Sequence, residues 1–388
     1  MTTQSVSNGP KIMLVAGEAS GDQLGGRLMA AIKAQAPDAR FIGVGGPRME
    51  REGLSSLFPM NEMSVMGLTE VVPHIPHLLK RISQTAKFAQ TEQPDVVVTI
   101  DAPDFSFRVG KKLKGKGIPL VHYVAPSVWA WREGRARKIA GFLDHLLALL
   151  PFEPPYFEKE GLPTTFIGHS AVEERHDGDA DRFRAKHGLS DKTKLLAVLP
   201  GSRNSEVKRL LPVFKTVITD IAAKYPDTRI VVPTVAKVAD VVTAEMNDWP
   251  LSPIVVSTDQ ERHDAFAAAY CALAASGTVS LELAISGVPH VIAYQVNAIT
   301  GWIAKRLIKI DTVTIVNLVL RRKLIPEFLQ DKCQPGNITP ILDGLLGDSP
   351  IRQEQKDGFD EACHLLGFGG RAPSEKAAEQ VLKIIAKK

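Results

Sequence analysis

The stretch "DVVVTIDAPDFSF", Asp95 to Phe107, decides the fold. Val96 to Ile100 is an unbroken run of apolar and β-branched residues, which is how a strand buried on both faces reads. Two carboxylates follow it, Asp101 and Asp104, split by Ala102 and Pro103. The proline stops the strand from continuing. The next segment, "FSFRVGKKLK", reads as a helix, so Asp104 is its cap or sits in its first turn, where negative charge suits the helix dipole. Asp101, as the last residue of the strand, is then free for chemistry.

The same texture recurs outward from this point. Strand-like runs lie at 11–17, 40–46, 95–101, 119–125, 145–151 and 164–170, most of them separated by helical patterns. A charged stretch follows, "AVEERHDGDADRFRAKHGLSDKTK", read as a linker with a short helix. A second series begins at 194–202 and continues at 229–234, 253–258, 271–277 and 289–295. From about residue 335 the chain reads as helical. Buried strands alternating with helices imply parallel sheets. The expectation is therefore α/β, with two consecutive Rossmann-like domains facing a cleft. Ligands of such sheets bind beyond the carboxyl ends of the strands.

Bulk properties agree and exclude several classes. At 388 residues, roughly 150 per domain gives two to three domains. A net charge of +4 is too small to argue for nucleic acid, so no nucleic-acid partner is expected. Cys271, Cys333 and Cys363 are far apart and odd in number, with neither metal spacing nor a disulfide framework, so a reducing compartment is expected. The opening "MTTQSVSNGPK" lacks an apolar signal region. No apolar run approaches the ~20 residues of a membrane-spanning helix. A cytoplasmic protein that at most touches a membrane surface is the expectation.

The motifs fall at strand ends. "VAGEASGDQLGG" sets Glu18 in a tight turn, either to bond substrate hydroxyls or simply within a β–α turn capped by Ser20 or Asp22. "LPGSRNSEV" leads a strand through Gly201, Ser202 and Arg203 into a helix that Ser202 or Ser205 could cap. A helix N-terminus and a guanidinium suit a diphosphate, against the plain reading of a surface arginine. "LAASGTVSLE" does the same with Ser276, Gly277 and Thr278. Glu282, one turn into that helix, could accept from ribose hydroxyls, or be only an exposed glutamate. Trp129 and Trp131 stand beside Arg132, Arg135, Arg137 and Lys138, which suits sugar, phosphate or an anionic surface, or else a solvated helix face. The segment Met60–Leu79 is Met-rich and apolar. Core packing is its default reading; exposed, it would suit acyl chains or a membrane interface. A second basic group, Lys305, Arg306, Lys309, Arg321, Arg322 and Lys323, flanks "TVTIVNLVL" and would suit an anionic membrane or a solvated face.

In this order, "VAGEASGD", "GVGGPRM", "VMGLTEVV", "DAPDF", "HYVAPSVWAWR", "FIGHS", "LPGSRNSEV" and "ASGTVSLE" resemble the lipid-A-disaccharide synthase family of inverting GT-B glycosyltransferases. The resemblance covers about residues 11–340. It implies transfer of 2,3-diacylglucosamine from its UDP conjugate to the 6-hydroxyl of 2,3-diacylglucosamine 1-phosphate, giving a β-1,6 disaccharide 1-phosphate and UDP. It implies no metal and no cofactor, UDP-diacylglucosamine being a substrate. It also implies a peripheral position on the inner membrane of a Gram-negative bacterium, and homodimers that swap domains.

Position by position, the resemblance makes Asp101 the catalytic base and Glu18 a residue on the acceptor side. Ser202 and Arg203 become the diphosphate turn, and Ser276, Gly277, Thr278 and Glu282 the nucleotide-binding helix start. Asn317 matches an asparagine near the nucleotide, although "VNLVLRRKL" departs here from the family's usual Pro-Asn-Leu-Leu, small residue, Gly-Arg. The expected organisation is an acceptor- and membrane-facing domain at 1–172, a UDP-sugar domain at 173–350, and helices at 351–388 crossing back to the first domain. The rival readings are a UDP-N-acetylglucosamine 2-epimerase-like enzyme, which has no use for the Met-rich segment, and a non-catalytic nucleotide-sugar-binding protein.

Overall fold

Strands buried on both faces need covering helices and hydrogen-bonded neighbours, and the chain supplies both in two all-parallel sheets. The structure, a computed structural model, describes residues 9–63, 68–131, 134–173, 178–297, 310–347 and 349–387, side chains at 68–74 and 131 excepted. It divides into two units, Met1–Glu173 with Leu366–Lys388, and Glu174–Leu365.

The first unit holds β1 (Lys11–Ala16), β2 (Arg40–Val44), β3 (Ser55–Ser56), β4 (Val96–Ile100), β5 (Leu120–Tyr123), β6 (His145–Ala148) and β7 (Thr164–Phe166). Their order is β3-β2-β1-β4-β5-β6-β7. All five β4 residues are buried, as their unbroken apolar run predicts. The second unit holds β8 (Leu195–Leu199), β9 (Arg229–Pro233), β10 (Ile254–Val256), β11 (Cys271–Ala274), β12 (His290–Tyr294) and β13 (Glu327–Leu329), in the order β10-β9-β8-β11-β12-β13. The sequence reading has no counterpart for β3 and β13. They are edge strands of two and three residues, too short for an apolar run to mark them.

Each order reverses direction once, between β1 and β4 in the first sheet and between β8 and β11 in the second. At such a switch point the two flanking loops diverge to opposite faces and leave a crevice at the strand ends. The four loops that leave these strands are those of Glu18, Asp101, Ser202–Arg203 and Ser276–Thr278.

The last helix, Pro373–Ala386, returns to the first unit. Its Ala377, Ala378 and Val381 share a buried cluster with Leu28 and Ile32 of helix Ala19–Gln35. The preceding helix, Pro350–Leu366, does not return with it, although the sequence reading sent all of 351–388 back. Gln355 holds it to the second unit. Its amide oxygen accepts from the His290 backbone N–H at 2.7 Å, and its amide nitrogen donates to the His290 carbonyl at 3.0 Å. Phe359 stacks on the His290 ring at 5.4 Å between centroids. Among the described residues, no helix is long and apolar enough to cross a membrane.

Asp22 shows a carboxylate used purely for folding. It is buried, and it caps nothing in its own helix. Instead it accepts from the backbone N–H groups of Gly46 (2.8 Å), Arg48 (2.9 Å) and Met49 (3.1 Å), the otherwise unbonded start of helix Pro47–Arg51. Removing it strands buried donors. Asp22→Ala should therefore destabilise the first unit by roughly 3 kcal/mol. In native-state hydrogen exchange the amides of Gly46, Arg48 and Met49 should lose protection; full retention would refute this role.

Candidate active site

The first half-site is built by the ends of β1 and β4. Asp101 and Ala102 lie just beyond β4 with φ of +49° and +43°, both left-handed and neither glycine. That conformation is strained for residues with a Cβ, and persists only where its surroundings hold it. Asp101 N–H donates to the Tyr123 carbonyl at 3.0 Å, and Ser106 Oγ donates to the Asp101 carbonyl at 2.7 Å. Across the crevice, a Cβ on Gly17 would stand 2.7 Å from the Ala102 Cβ, so only glycine lets the two loops approach this closely.

The Asp101 side chain is half-buried, and its Oδ2 accepts from Ser20 Oγ at 3.3 Å. Glu18 sits at the N-cap of helix Ala19–Gln35 without a capping side-chain bond. Neither Ser20 nor Asp22 caps that helix, contrary to the plain β–α-turn reading. Burial and, secondarily, the negative charge of Asp101 hold the Glu18 carboxyl above the usual carboxylate range. Asp104 is exposed in the first turn of helix Pro103–Leu113, whose N-cap is Ala102. It therefore complements the dipole but forms no cap bond.

A cavity of about 400 Å³ adjoins these loops, lined by Glu18, Ala102 and Pro103 on one side and by Ile75, Leu78, Leu79 and Ile82 on the other. Ile75 and Leu79 remain 43% and 45% exposed. They stand one turn apart on helix Leu68–Glu92 and so share a face. This part of the Met60–Leu79 segment is not core. Val65, Met66 and the Leu68 side chain lie outside the described residues, as do Trp131's side chain, Arg132, Lys305, Arg306 and Lys309. Trp129 is packed against the chain: its indole N–H donates to Glu153 at 3.3 Å and its ring meets Phe152 edge-on. Of the second basic group, Arg322 is paired with Glu361 at 2.6 Å.

The second half-site follows β8 and β11. Helix Asn204–Lys224 starts without any side-chain cap, so neither Ser202 nor Ser205 closes it and its first amides stay available to an anion. The residue that shapes the turn is Glu206, which the sequence reading passed over as a helix start. Its carboxylate accepts from Ser202 N–H (3.1 Å), Arg203 (2.7 Å) and the Tyr294 hydroxyl (3.0 Å). Burial opposes its ionisation, but the bonds from Arg203, Tyr294 and Ser202 outweigh burial and hold it below the usual range. Gly201 has φ +112°, and a Cβ there would come within 2.7 Å of Glu206 Oε2. Arg203 keeps most of its guanidinium in solvent, with 70% of its side chain exposed.

After β11, Ser276 is half-buried and Gly277 and Thr278 are exposed, and Thr278 begins helix Val279–Ile285 without a side-chain cap. Glu282 lies 3.8 Å from Arg262, and its Oε2 is buried with no hydrogen-bond partner. Asn317 differs from its expectation. It is buried, its Nδ2 donates to the Ile325 carbonyl (2.9 Å) and Glu327 (3.2 Å), and its Oδ1 accepts from Leu324 and Ile325 N–H at 2.9 Å each. The side chain is committed to its own loop.

Two doubly wound parallel sheets, each with its loops gathered at a switch point, are the architecture of the GT-B class. Solved structures share the fold. A UDP-GlcNAc 2-epimerase from Neisseria meningitidis bound to UDP-GlcNAc superposes with a TM-score of 0.61 at 12% identity, covering 97% of this chain and 100% of that one. The calicheamicin glycosyltransferase gives 0.59 at 15% identity, covering 97% and 98%. The model of the Lipid-A-disaccharide synthetase family matches residues 12–381, and the chain belongs to that family. The lipid-A-disaccharide synthase of Rhodospirillum centenum is 52% identical over 97% of this chain and 95% of its own length. That of Ruegeria pomeroyi is 49% identical over 96% and 94%.

The raised pKa of Glu18 gives a direct check. Ionising this carboxyl costs the folded state, so its contribution to stability is present below the usual carboxylate pKa and lost as pH rises through the raised one. In Asp101→Asn the repulsion disappears while the burial remains. The side-chain carboxyl carbon of Glu18, followed by NMR titration, should then show a midpoint lowered from wild type yet still above the usual value. An unchanged midpoint would mean the two carboxylates do not interact.

Proposed function

We propose that the first unit binds the acceptor lipid, 2,3-diacylglucosamine 1-phosphate, and the second the donor, UDP-2,3-diacylglucosamine. The observation that carries this reading is the carboxylate pair at the first switch point beside a cavity that is polar at Glu18 and apolar from Ile75 to Ile82. A sugar hydroxyl needs the former and an acyl chain the latter. Asp101 removes the proton of the attacking 6-hydroxyl. Glu18, beside Asp101 at the same switch point, bonds the same hydroxyl. The donor is α-linked and the product β-linked, so the displacement inverts and needs one base.

In the donor half, Arg203 and the uncapped start of helix Asn204–Lys224 face the charge that grows on the departing UDP. Glu206 fixes the arginine's approach. The turn Ser276–Gly277–Thr278 offers further donors, and Glu282, one turn into the following helix, accepts from the ribose hydroxyls. Asn317 acts by holding the 321–327 loop rather than by touching nucleotide. In this reading the positive partners of the leaving group are protein groups, and the reaction takes neither metal nor cofactor. The epimerase-like alternative has no role for an acyl-sized apolar cavity.

The assay is incubation with both lipids, followed by detection of UDP and the disaccharide 1-phosphate. Asp101→Asn should reduce turnover by roughly two to four orders of magnitude and leave UDP affinity unchanged; loss of UDP binding instead would sink the base assignment. We also infer that the exposed Ile75–Leu79 face rests on the inner-membrane surface of a Gram-negative bacterium. Both residues are exposed, so Ile75→Ser with Leu79→Ser should leave folding intact and lower co-sedimentation with anionic phospholipid vesicles. Undiminished co-sedimentation would rule that face out as the contact.

A further inference from the structure

The basic run after Trp131 divides into two kinds of residue. Arg137 pairs with Glu160 at 2.9 Å. Arg135 and Lys138 pair with no carboxylate among the described residues, and neither do Arg108 and Lys111. These four converge. They line a recess of about 340 Å³ between helices Pro103–Leu113 and Gly134–Ala140, floored by Phe107 and Phe142. Arg108 and Lys111 stand on one face of the first helix, and Arg135 and Lys138 on one face of the second. The Arg135 guanidinium lies over the Phe107 ring at 5.4 Å, and the Lys111 ammonium stands 5.9 Å from the Phe142 ring.

Asp104 is the one carboxylate in this lining. Four cations against one anion repel each other, and this arrangement favours a multivalent counter-ion. Arginine and lysine together, on a fixed scaffold, suit the three oxygens of a phosphate monoester. Flat aromatic rings beneath the cations lower the local dielectric and strengthen that attraction.

The recess adjoins the apolar cavity already described. Pro103, Asp104 and Arg108 line both. Arg108 stands five residues beyond Pro103, about 7.5 Å along the helix axis. That offset suits a ligand whose hydroxyl lies at the Glu18–Asp101 end and whose phosphate lies across one sugar ring.

We propose that this recess is a subsite for the phosphate monoester of a lipid, and specifically for the 1-phosphate of the acceptor. Acyl chains then occupy the neighbouring cavity while Arg108, Lys111, Arg135 and Lys138 hold the opposite pole of the same molecule. The proposal rests on the acceptor reading above. It adds that the four cations select an acceptor that carries its phosphate.

The test compares wild type with Arg135→Gln/Lys138→Gln and, separately, Arg108→Gln, using 2,3-diacylglucosamine 1-phosphate and its dephosphorylated counterpart as acceptors. The quantity read is the ratio of kcat/KM for the two. In wild type this ratio should strongly favour the phosphate. In each variant it should fall by roughly 10- to 100-fold, the loss expected for a charge-assisted bond. KM for the UDP donor should stay unchanged. An unchanged ratio overturns the proposal. So does a loss confined to binding of phosphatidylglycerol vesicles, which would assign the recess to bilayer headgroups. The ³¹P resonance of the acceptor in detergent micelles gives a second readout that needs no turnover. It should shift on adding wild type and stay put with the variants. A variant-sensitive shift without disaccharide formation would sink the transfer reading and leave this subsite standing; turnover with an unaltered ratio would do the reverse.

Discussion

The first half-site depends on one missing side chain. Gly17 directly follows the first strand, and a Cβ there would overlap that of Ala102. Because it is absent, the loops leaving β1 and β4 close on each other at the switch point. There burial first, and the nearby charge of Asp101 second, raise the pKa of Glu18. The closure also requires the strained pair Asp101–Ala102, which two backbone-directed bonds hold in place. Strain stored in this turn keeps the Asp101 carboxylate beside the crevice instead of on the flat of the sheet.

The second half-site solves a different problem with similar economy. A helix start that is to stay open to an anion cannot use its own serines as caps. Glu206 resolves the conflict. It bonds Ser202 N–H, Arg203 and Tyr294 from inside the helix, shaping the turn without closing it. Asp22 and Asn317 do comparable work elsewhere, each satisfying several backbone groups of a distant loop. In each case one polar side chain is fully engaged so that a neighbouring loop has a single shape.

Charge distribution is organised on the same plan. Of the two described arginines in the run after Trp131, Arg137 is paired with Glu160 and Arg135 lies over the Phe107 ring. Sequence alone presents them as one run. Their division follows from helix periodicity, which sends Arg135 and Lys138 to one face and Arg137 to another.

Much of this was legible in the residues themselves. A continuous β-branched run can be buried on both faces only, so the eleven predicted strands, their parallel pairing and the two-domain layout follow from pattern. Turn chemistry likewise marked the loops of Glu18, Asp101, Arg203 and Thr278, since Gly, Pro and short polar residues at a strand end leave few alternatives. What the pattern could not carry was partnership at long range. β3 and β13 exist through their neighbours, not through their two or three residues. Helix Pro350–Leu366 stays with the second unit because Gln355 meets the backbone of His290, sixty-five positions away. Asp22 and Asp101 are the same residue type at similar strand-to-helix junctions, yet one is sealed under three amides and the other is half open. The sequence determined that carboxylates would stand at these turns. Only the tertiary structure decided which of them were left with an open face, because burial and hydrogen-bond satisfaction belong to the neighbours that the fold brings in, and no local segment contains them.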